Sequence, residues 1–250
     1  MSVFLTLVRR ELGVAFNSLA GYVVVAVTLL LTGFSLVDIC TKLVNTATDR
    51  PITETFYQSA YFWVILLVVS PVITMRTFAA EKSSGTYEAL MTTPVGDTQV
   101  VLAKFTGALL FYGLTWLPLL AVLAVLRQVT GQASFLEPKV TAVALGGVLL
   151  VGAFFMAMGC FASSLTRSQV IAAMLSFLFG VGCWVISLRP SLPNAAEGLM
   201  GRVFDHLSLV RHMEDFSRGV VDSRHVVFYL TGTALFVFLT QRVVESRRWK

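Results

Sequence analysis

The sequence predicts an all-α membrane protein with six transmembrane helices, an N-terminal amphipathic interfacial helix and a helical insertion before the last span. Two observations predict this fold class. Of the 250 residues, 56% are hydrophobic and only 13% are charged, whereas a soluble domain carries about 25% charged residues. The hydrophobic residues also form long continuous blocks, and not the stripes of a soluble helix or the alternation of a strand.

The first 19 residues are predicted to form an amphipathic helix. Apolar side chains from Phe4 to Leu19 recur at helical spacing, and Thr6, Arg10 and Asn17 fall on the other side. A helix of this kind lies in the membrane interface. Packing against a soluble partner is the alternative interpretation.

Each of the six apolar blocks that follow has about the 20 residues needed to cross a bilayer. Pro71 and Pro118 fall inside blocks and predict kinks. No charged residue is expected in a span interior, which disfavours an ion-driven secondary carrier, a voltage sensor or an intramembrane hydrolase. The predicted spans are 21–40, 56–77, 103–126, 140–164, 169–188 and 226–244.

Segment 190–225, between the last two spans, is predicted to be a helical insertion and not a simple loop. Leu199, Val203, Leu207 and Val210 recur at helical spacing with charged residues between them, which indicates one or two amphipathic helices. They would lie on the side of the membrane away from the chain termini, or re-enter its edge. Asp222 is a candidate N-cap for the last span.

Two spans carry small residues at four-residue spacing, a pattern that lets helix backbones approach closely. One forms shorter pairs, such as Gly159 with Ser163, and the other forms a continuous stripe. The stripe could pack within one subunit or at a subunit interface. It consists of Ser168, Ala172, Ser176 and Gly180.

Several function classes are disfavoured by composition and spacing. The net charge is +5, but the basic residues flank apolar blocks and form no single patch, as expected for membrane anchors and not for nucleic-acid binding. The three cysteines form neither a disulfide framework nor a metal motif. The pair Lys82–Ser83 lacks the Gly-rich turn of a P-loop. We therefore expect no cofactor and no enzymatic activity in this chain.

The polar stretch AAEKSSGTYEALMTTPVGD, residues 79–97, separates the second and third blocks. Ser83, Ser84 and Gly85 are expected to break the preceding helix. A helix of about two turns follows, from a Thr86 N-cap to Pro94, and it is too short to be stable alone. Its apolar face is expected to dock into another protein or under its own membrane domain. That face consists of Tyr87, Leu90 and Met91, with Glu88 in the first turn.

The longer stretch RTFAAEKSSGTYEALMTTPVGDTQVVLAKFTGALL resembles the region between the second and third helices of ABC-2 type permeases, the membrane subunits of a class of ABC exporters. Ala89 and Met91 stand where leucine is commoner in that family. The run FSRGVVDSRHVVFYLTGTALFVFLTQRVVESRRW further resembles the gliding-motility subgroup. The positions that fit the family pattern are Arg76, Phe78, Glu81, Lys82, Gly85, Thr86, Glu88, Leu90, Thr93 and Pro94.

The resemblance implies one ABC-2 transmembrane domain over residues 1–250, in the inner membrane of a bacterium. Segment 78–97 would be a cytoplasmic coupling helix that binds a separate ABC ATPase, with both termini cytoplasmic and segment 190–225 periplasmic or re-entrant. The count of Lys and Arg on the two sides of the membrane is nearly tied, but three of those on the far side lie well inside segment 190–225 and the C-terminal ESRRWK is the densest basic cluster, so charge also places both termini in the cytoplasm. A second permease copy, or a related membrane subunit, would complete the complex in the lipid bilayer. The implied coupling residues are Glu81, Lys82, Gly85, Thr86, Tyr87, Glu88, Leu90, Met91 and Pro94.

Two functions remain open at this point. The first is the permease subunit of an ABC exporter. The second is a non-transporting subunit for membrane assembly or mechanotransmission, as in a gliding-motility complex. Both would use the same ATPase contact.

Overall fold

The structure is a computed structural model. It describes residues 3–45, 52–86, 96–130, 137–188 and 199–246, which are helical and contain no strand. In chain order the helices are α1 (Val3–Phe16), α2 (Leu19–Asn45), α3 (Ile52–Gln58), α4 (Ala60–Thr74), α5 (Ala79–Ser84), α6 (Asp97–Thr115), α7 (Leu117–Thr130), α8 (Pro138–Leu165), α9 (Gln169–Leu188), α10 (Leu199–Leu207), α11 (Leu209–Ser217) and α12 (Ser223–Ser246).

Six helical stretches of the described chain are long and apolar enough to cross a membrane, which confirms the predicted fold class. The third span begins at Asp97, several residues earlier than predicted, and the sixth begins at Ser223 and not at Val226. The complete set is Leu19–Thr41, Ala60–Ser84, Asp97–Val125, Pro138–Leu165, Gln169–Leu188 and Ser223–Ser246.

The predicted start of the second span at Phe56 was wrong. Phe56 lies in the separate short helix α3, and Ser59, in an extended conformation, separates α3 from α4. The buried Phe56 side chain packs edge-on against Tyr57, Phe62 and Trp116. Hydropathy cannot place this boundary, because an apolar residue buried between packed helices has the same hydropathy as one in a membrane span.

Helix α8 is the centre of the bundle and packs against α4, α6, α9, α11 and α12. It starts with Pro138 at its first position, where a missing N–H costs nothing. Val148, Val151 and Met156 are fully buried in its middle, and the side chains around them form one continuous core. In contrast, α12 exposes large apolar residues such as Leu230 and Leu235.

The end of the bundle opposite α1 is built from α3, α10 and α11, and the predicted amphipathic insertion is present as two helices. Helix α11 ends in a Schellman motif, because Gly219 adopts a φ of 81° and the Val220 N–H donates to the Asp215 carbonyl at 3.0 Å. Asp222 caps α12, as predicted: its Oδ1 accepts from the Arg224 N–H at 2.8 Å.

Two histidines stack at this same end. The rings of His212 and His225 have centroids 4.0 Å apart, and the Tyr229 hydroxyl lies 3.3 Å from Nδ1 of the buried His212. Burial, and secondarily the neighbouring His225, lowers the pKa of His212 to about 3. His212 is therefore neutral in the folded chain over the whole physiological range.

This depressed pKa predicts an acid-sensitive stability. Between about pH 6.5 and pH 3 the unfolded chain binds a proton at His212 and the folded chain does not, so stability falls as pH falls through this window. We expect the melting temperature to decrease from pH 7.5 to pH 5.5, and His212→Gln to flatten that decrease. The control His206→Gln, at an exposed histidine that is only a minor contributor to the shift, should change the slope less than His212→Gln does. An unchanged slope in His212→Gln would refute the assignment.

Candidate functional site

Four charged side chains meet where α1, α5 and α6 come together; we call Arg10, Glu11, Glu81 and Lys104 the ion network. The Lys104 Nζ lies 2.8 Å from Glu81 Oε1 and 3.1 Å from Glu11 Oε1, and its side chain is only 2% exposed. The Arg10 Nη2 lies 2.8 Å from Glu11 Oε1 and 3.0 Å from Glu81 Oε1. Two cations and two anions alternate, so the network is neutral.

Lys104 corrects the expectation of charge-free spans. Because α6 begins at Asp97, Lys104 lies seven residues into the third span, about 10 Å along the helix at 1.5 Å per residue. A cation at that depth is costly unless it is paired. Both carboxylates and the nearby Phe78 ring, 5.5 Å from Nζ, surround the ammonium group.

The chain that leads from α4 into the coupling segment is held tightly; we call residues 75–85 the junction. Ser163 of α8 is its main polar anchor. Its hydroxyl accepts from the backbone N–H groups of Phe78 and Ala79, each at 3.1 Å, and donates to the Met75 carbonyl at 3.1 Å. Ser163 thereby satisfies a carbonyl at the end of α4 and two N–H groups at the start of α5, which have no helical partners.

Further contacts hold the junction against three spans. The Lys82 ammonium group donates to the carbonyl of Ser164 on α8, and Lys82 is buried. The fully buried Phe78 ring packs in a small cluster with Val101, Cys160 and Val244, which belong to α6, α8 and α12. A displacement of the junction must therefore strain contacts to each of these helices.

Gly85 ends the junction. It has a φ of 74°, a left-handed conformation that favours glycine, and it terminates α5. The expectation that Ser83 and Ser84 break the helix was wrong, because α5 continues through Ser84. The Ser84 hydroxyl lies 2.8 Å from the Thr86 hydroxyl. Gly85 alone redirects the chain.

The structure brings together only part of the predicted coupling set. Glu81 joins the ion network, Lys82 and Gly85 belong to the junction, and Thr86 follows it directly. The other predicted coupling residues lie outside the described residues: Tyr87, Glu88, Leu90, Met91 and Pro94.

Sequence reasoning missed four residues of this site. The sequence indicated interfacial or span-flanking charges at Arg10, Glu11 and Lys104. It indicated a small packing residue at Ser163. One signal could have indicated the network: Glu11 and Lys104 each interrupt an apolar helix face. Their pairing over 93 residues depends on how α1 lies across α6, which spacing along the chain does not reveal.

The small-residue stripe lies inside the chain's own bundle over three of its four positions. Ala172, Ser176 and Gly180 are buried, whereas Ser168 is partly exposed. A side chain added at Gly180 would approach Leu67 of α4 and Phe155 of α8, each at 3.1 Å. This stripe therefore lets α9 pack closely on α4 and α8.

Among the described residues, no group of three or more His, Cys, Asp and Glu side chains is placed to hold a metal ion. A cavity of about 70 Å³ lies beside the ion network, with Glu11, Arg76 and Lys104 in its wall. The chemistry available at the site is thus electrostatic pairing and backbone hydrogen bonding between helices.

The six long apolar helices define the class of protein, a multi-pass membrane protein. Residues 51–203, more than half of the chain, match the family described as ABC-2 family transporter protein, and the chain belongs to that family. It is a membrane permease of an ABC-type system, a transmembrane component that is not itself catalytic. No curated protein matches the chain.

Proposed function

We propose that the chain is the membrane subunit of a bacterial ABC exporter, driven by a separate ATPase that docks on segment 78–97. The supporting observation is the junction at the start of this segment. Ion pairs, hydrogen bonds and apolar contacts attach it to α1, α6, α8 and α12. A force that reaches the junction is therefore transmitted to several membrane helices through direct contacts.

In this proposal the docked ATPase moves the segment, and the junction tilts the helices anchored to it. Tyr87, Leu90 and Met91 fill an apolar cleft in the ATPase, while Glu88 contributes a polar contact. Glu81 has a different role, because it is already paired with Arg10 and Lys104 inside this chain. The end of the bundle that carries α1 faces the cytoplasm of the cell's inner membrane, and two permease subunits enclose the path.

The coupling segment can be tested by removing one apolar contact or one turn. Truncating a buried leucine costs about 2–5 kcal/mol in a packed site, so Leu90→Ala should weaken association with the ATPase more than tenfold. Gly85→Pro should do the same, because proline cannot adopt the positive φ of Gly85. The measurement is the amount of ATPase that co-purifies with the tagged chain from membranes.

The matched control is Leu5→Ala, the same substitution at a half-exposed leucine on α1, and it should retain the ATPase. Retention by both Leu90→Ala and Gly85→Pro would refute the coupling role. Labelling of a Ser84→Cys variant by an impermeant thiol reagent outside intact cells would contradict the orientation. An ATPase that binds and hydrolyses while no solute crosses the membrane would favour the mechanotransmission alternative.

A further inference from the structure

A cavity opens on the membrane-facing side of the bundle, at the end opposite α1. It has a volume of about 360 Å³ and lies between α9, α12 and the α10–α11 pair. Its walls are almost entirely apolar: the Phe154 ring is buried behind it, and Ile186 and Leu235 are 44% and 54% exposed at its rim. An apolar hollow on a lipid-facing surface accommodates a chain-like apolar group better than a polar solute.

A second cavity, of about 440 Å³, continues the first towards the membrane surface. The two share Phe228 and Thr231 in their walls, so they form one groove along α12. His206, Ser223 and Arg224 bring polar groups to the outer part, whose wall is otherwise mostly apolar. The groove is therefore apolar over most of its length, with polar side chains gathered at its outer end.

The length of the groove matches one membrane leaflet. Arg224 is the second residue of the sixth span, and Leu235 lies eleven residues further along the same helix. That separation is about 16 Å at 1.5 Å per residue, close to half of the roughly 30 Å hydrocarbon core. The groove therefore runs from the interface to about the middle of the bilayer.

The mouth of the groove carries an exposed arginine, Arg224, close to the carboxylate of Asp222. Arg224 is exposed, and no described side chain forms an ion pair with it. The carboxylates nearby are engaged: Asp222 accepts from the Arg224 backbone N–H at 2.8 Å, and Asp205 pairs with Arg211 at 2.9 Å. The exposed His206 adds a polar donor. A cation at the interface above an apolar channel is complementary to an anionic amphiphile.

We propose that this groove binds one anionic phospholipid of the bilayer. Its phosphate lies at Arg224 and His206, and one acyl chain follows Phe228 and Leu235 past the Phe154 ring. This lipid covers the apolar surface that α12 leaves exposed and packs the sixth span against the α10–α11 insertion. The proposal does not depend on ATPase docking, which concerns the other end of the bundle.

The test is native mass spectrometry of the full-length chain in mild detergent, with phosphatidylglycerol or phosphatidylcholine added. The native chain should retain one phosphatidylglycerol in preference to phosphatidylcholine. Arg224→Gln should reduce that preference about fivefold, the factor that corresponds to about 1 kcal/mol for one juxtamembrane cation. Leu235→Trp should fill the channel and abolish retention of both lipids.

Two matched variants control for charge and bulk. Arg167→Gln removes an exposed arginine at the other end of the bundle, and Leu230→Trp adds bulk at an exposed position of α12 outside the groove. Both should retain the lipid as the native chain does. Glycerol 1-phosphate, a headgroup without chains, should not displace it.

Three results would overturn the proposal. One is equal retention of the two lipids by the native chain. Another is the same retention by Leu235→Trp as by Leu230→Trp. The third is a dimer of the chain in the mass spectrum that Leu235→Trp abolishes. Such a result would assign the groove to a second copy of this chain and not to a lipid.

Discussion

Lys104→Met is expected to destabilise the folded chain more than any other single charge substitution in the described residues. The change leaves Glu11 and Glu81, only 14% and 20% exposed, without their buried cation. Removing one partner of a buried pair costs about 3–5 kcal/mol. We expect the apparent melting temperature in detergent to fall on the order of 10 °C. Arg10 compensates little, because its side chain is 45% exposed and screened by solvent.

The matched control for this prediction is Lys139→Met, which removes an exposed lysine from the start of α8. Its melting temperature should stay within a few degrees of the native value. A double variant, Lys104→Met with Glu81→Gln, restores neutrality and should recover part of the loss, which a double-mutant cycle measures. If Lys104→Met melts like Lys139→Met, then the ion network does not stabilise the contact between α1, α5 and α6.

Gly152→Leu is the second substitution from which we expect a large effect. A Cβ atom at Gly152 would lie 2.0 Å from Cε1 of Tyr112, a distance that real atoms do not tolerate. The Tyr112 ring is fully buried and packs against Trp116, so it has no free space to move into. Overpacking a core typically costs about 1–3 kcal/mol, and a whole leucine should exceed that range. We expect little folded protein after extraction.

Gly146→Leu is the matched control, on the same helix α8. No atom lies within 4 Å of a Cβ placed there, and Gly146 is exposed. Leucine also favours both a helix and a lipid-facing surface, so this variant should extract and melt like the native chain. The measurement is the fraction that elutes as a single peak in size-exclusion chromatography. A similar yield of both variants would show that α6 and α8 separate easily.

Lys104→Met and Gly152→Leu both test whether α6 is rigidly attached to its neighbours, at two different heights along the bundle. Gly152 sets how closely α6 approaches α8 within the membrane, and Lys104 ties α6 to α1 and α5 nearer the end where the coupling segment begins. If the proposed function is correct, this part of the bundle moves as a unit when the coupling segment is displaced. The α10–α11 insertion at the opposite end is held by separate contacts, such as the 3.0 Å bond from the Ser208 hydroxyl to the Ser187 carbonyl.

Part of this site could be predicted from the sequence. Gly85 reads correctly as a helix end, because a left-handed turn is a local backbone requirement that glycine meets. Asp222 was correctly predicted as a cap, because the N–H groups at the start of a helix are also a local requirement, which a nearby carboxylate meets. The resemblance over Arg76–Pro94 also indicated the coupling segment, which begins within the junction. The outcome for Tyr87 to Pro94 stays a prediction.

Hydropathy and periodicity were sufficient to predict the six spans, the amphipathic character of α1 and the helical nature of the insertion. These features depend on hydropathy and periodicity, which act over one helix length and need no partner. Three features became visible only in the folded chain: Lys104 is buried between Glu11 and Glu81, Ser163 anchors the junction, and Phe56 belongs to a separate helix. Each of these depends on which helices pack together, and residues far apart in the chain meet there because their desolvated charges and backbone groups require partners.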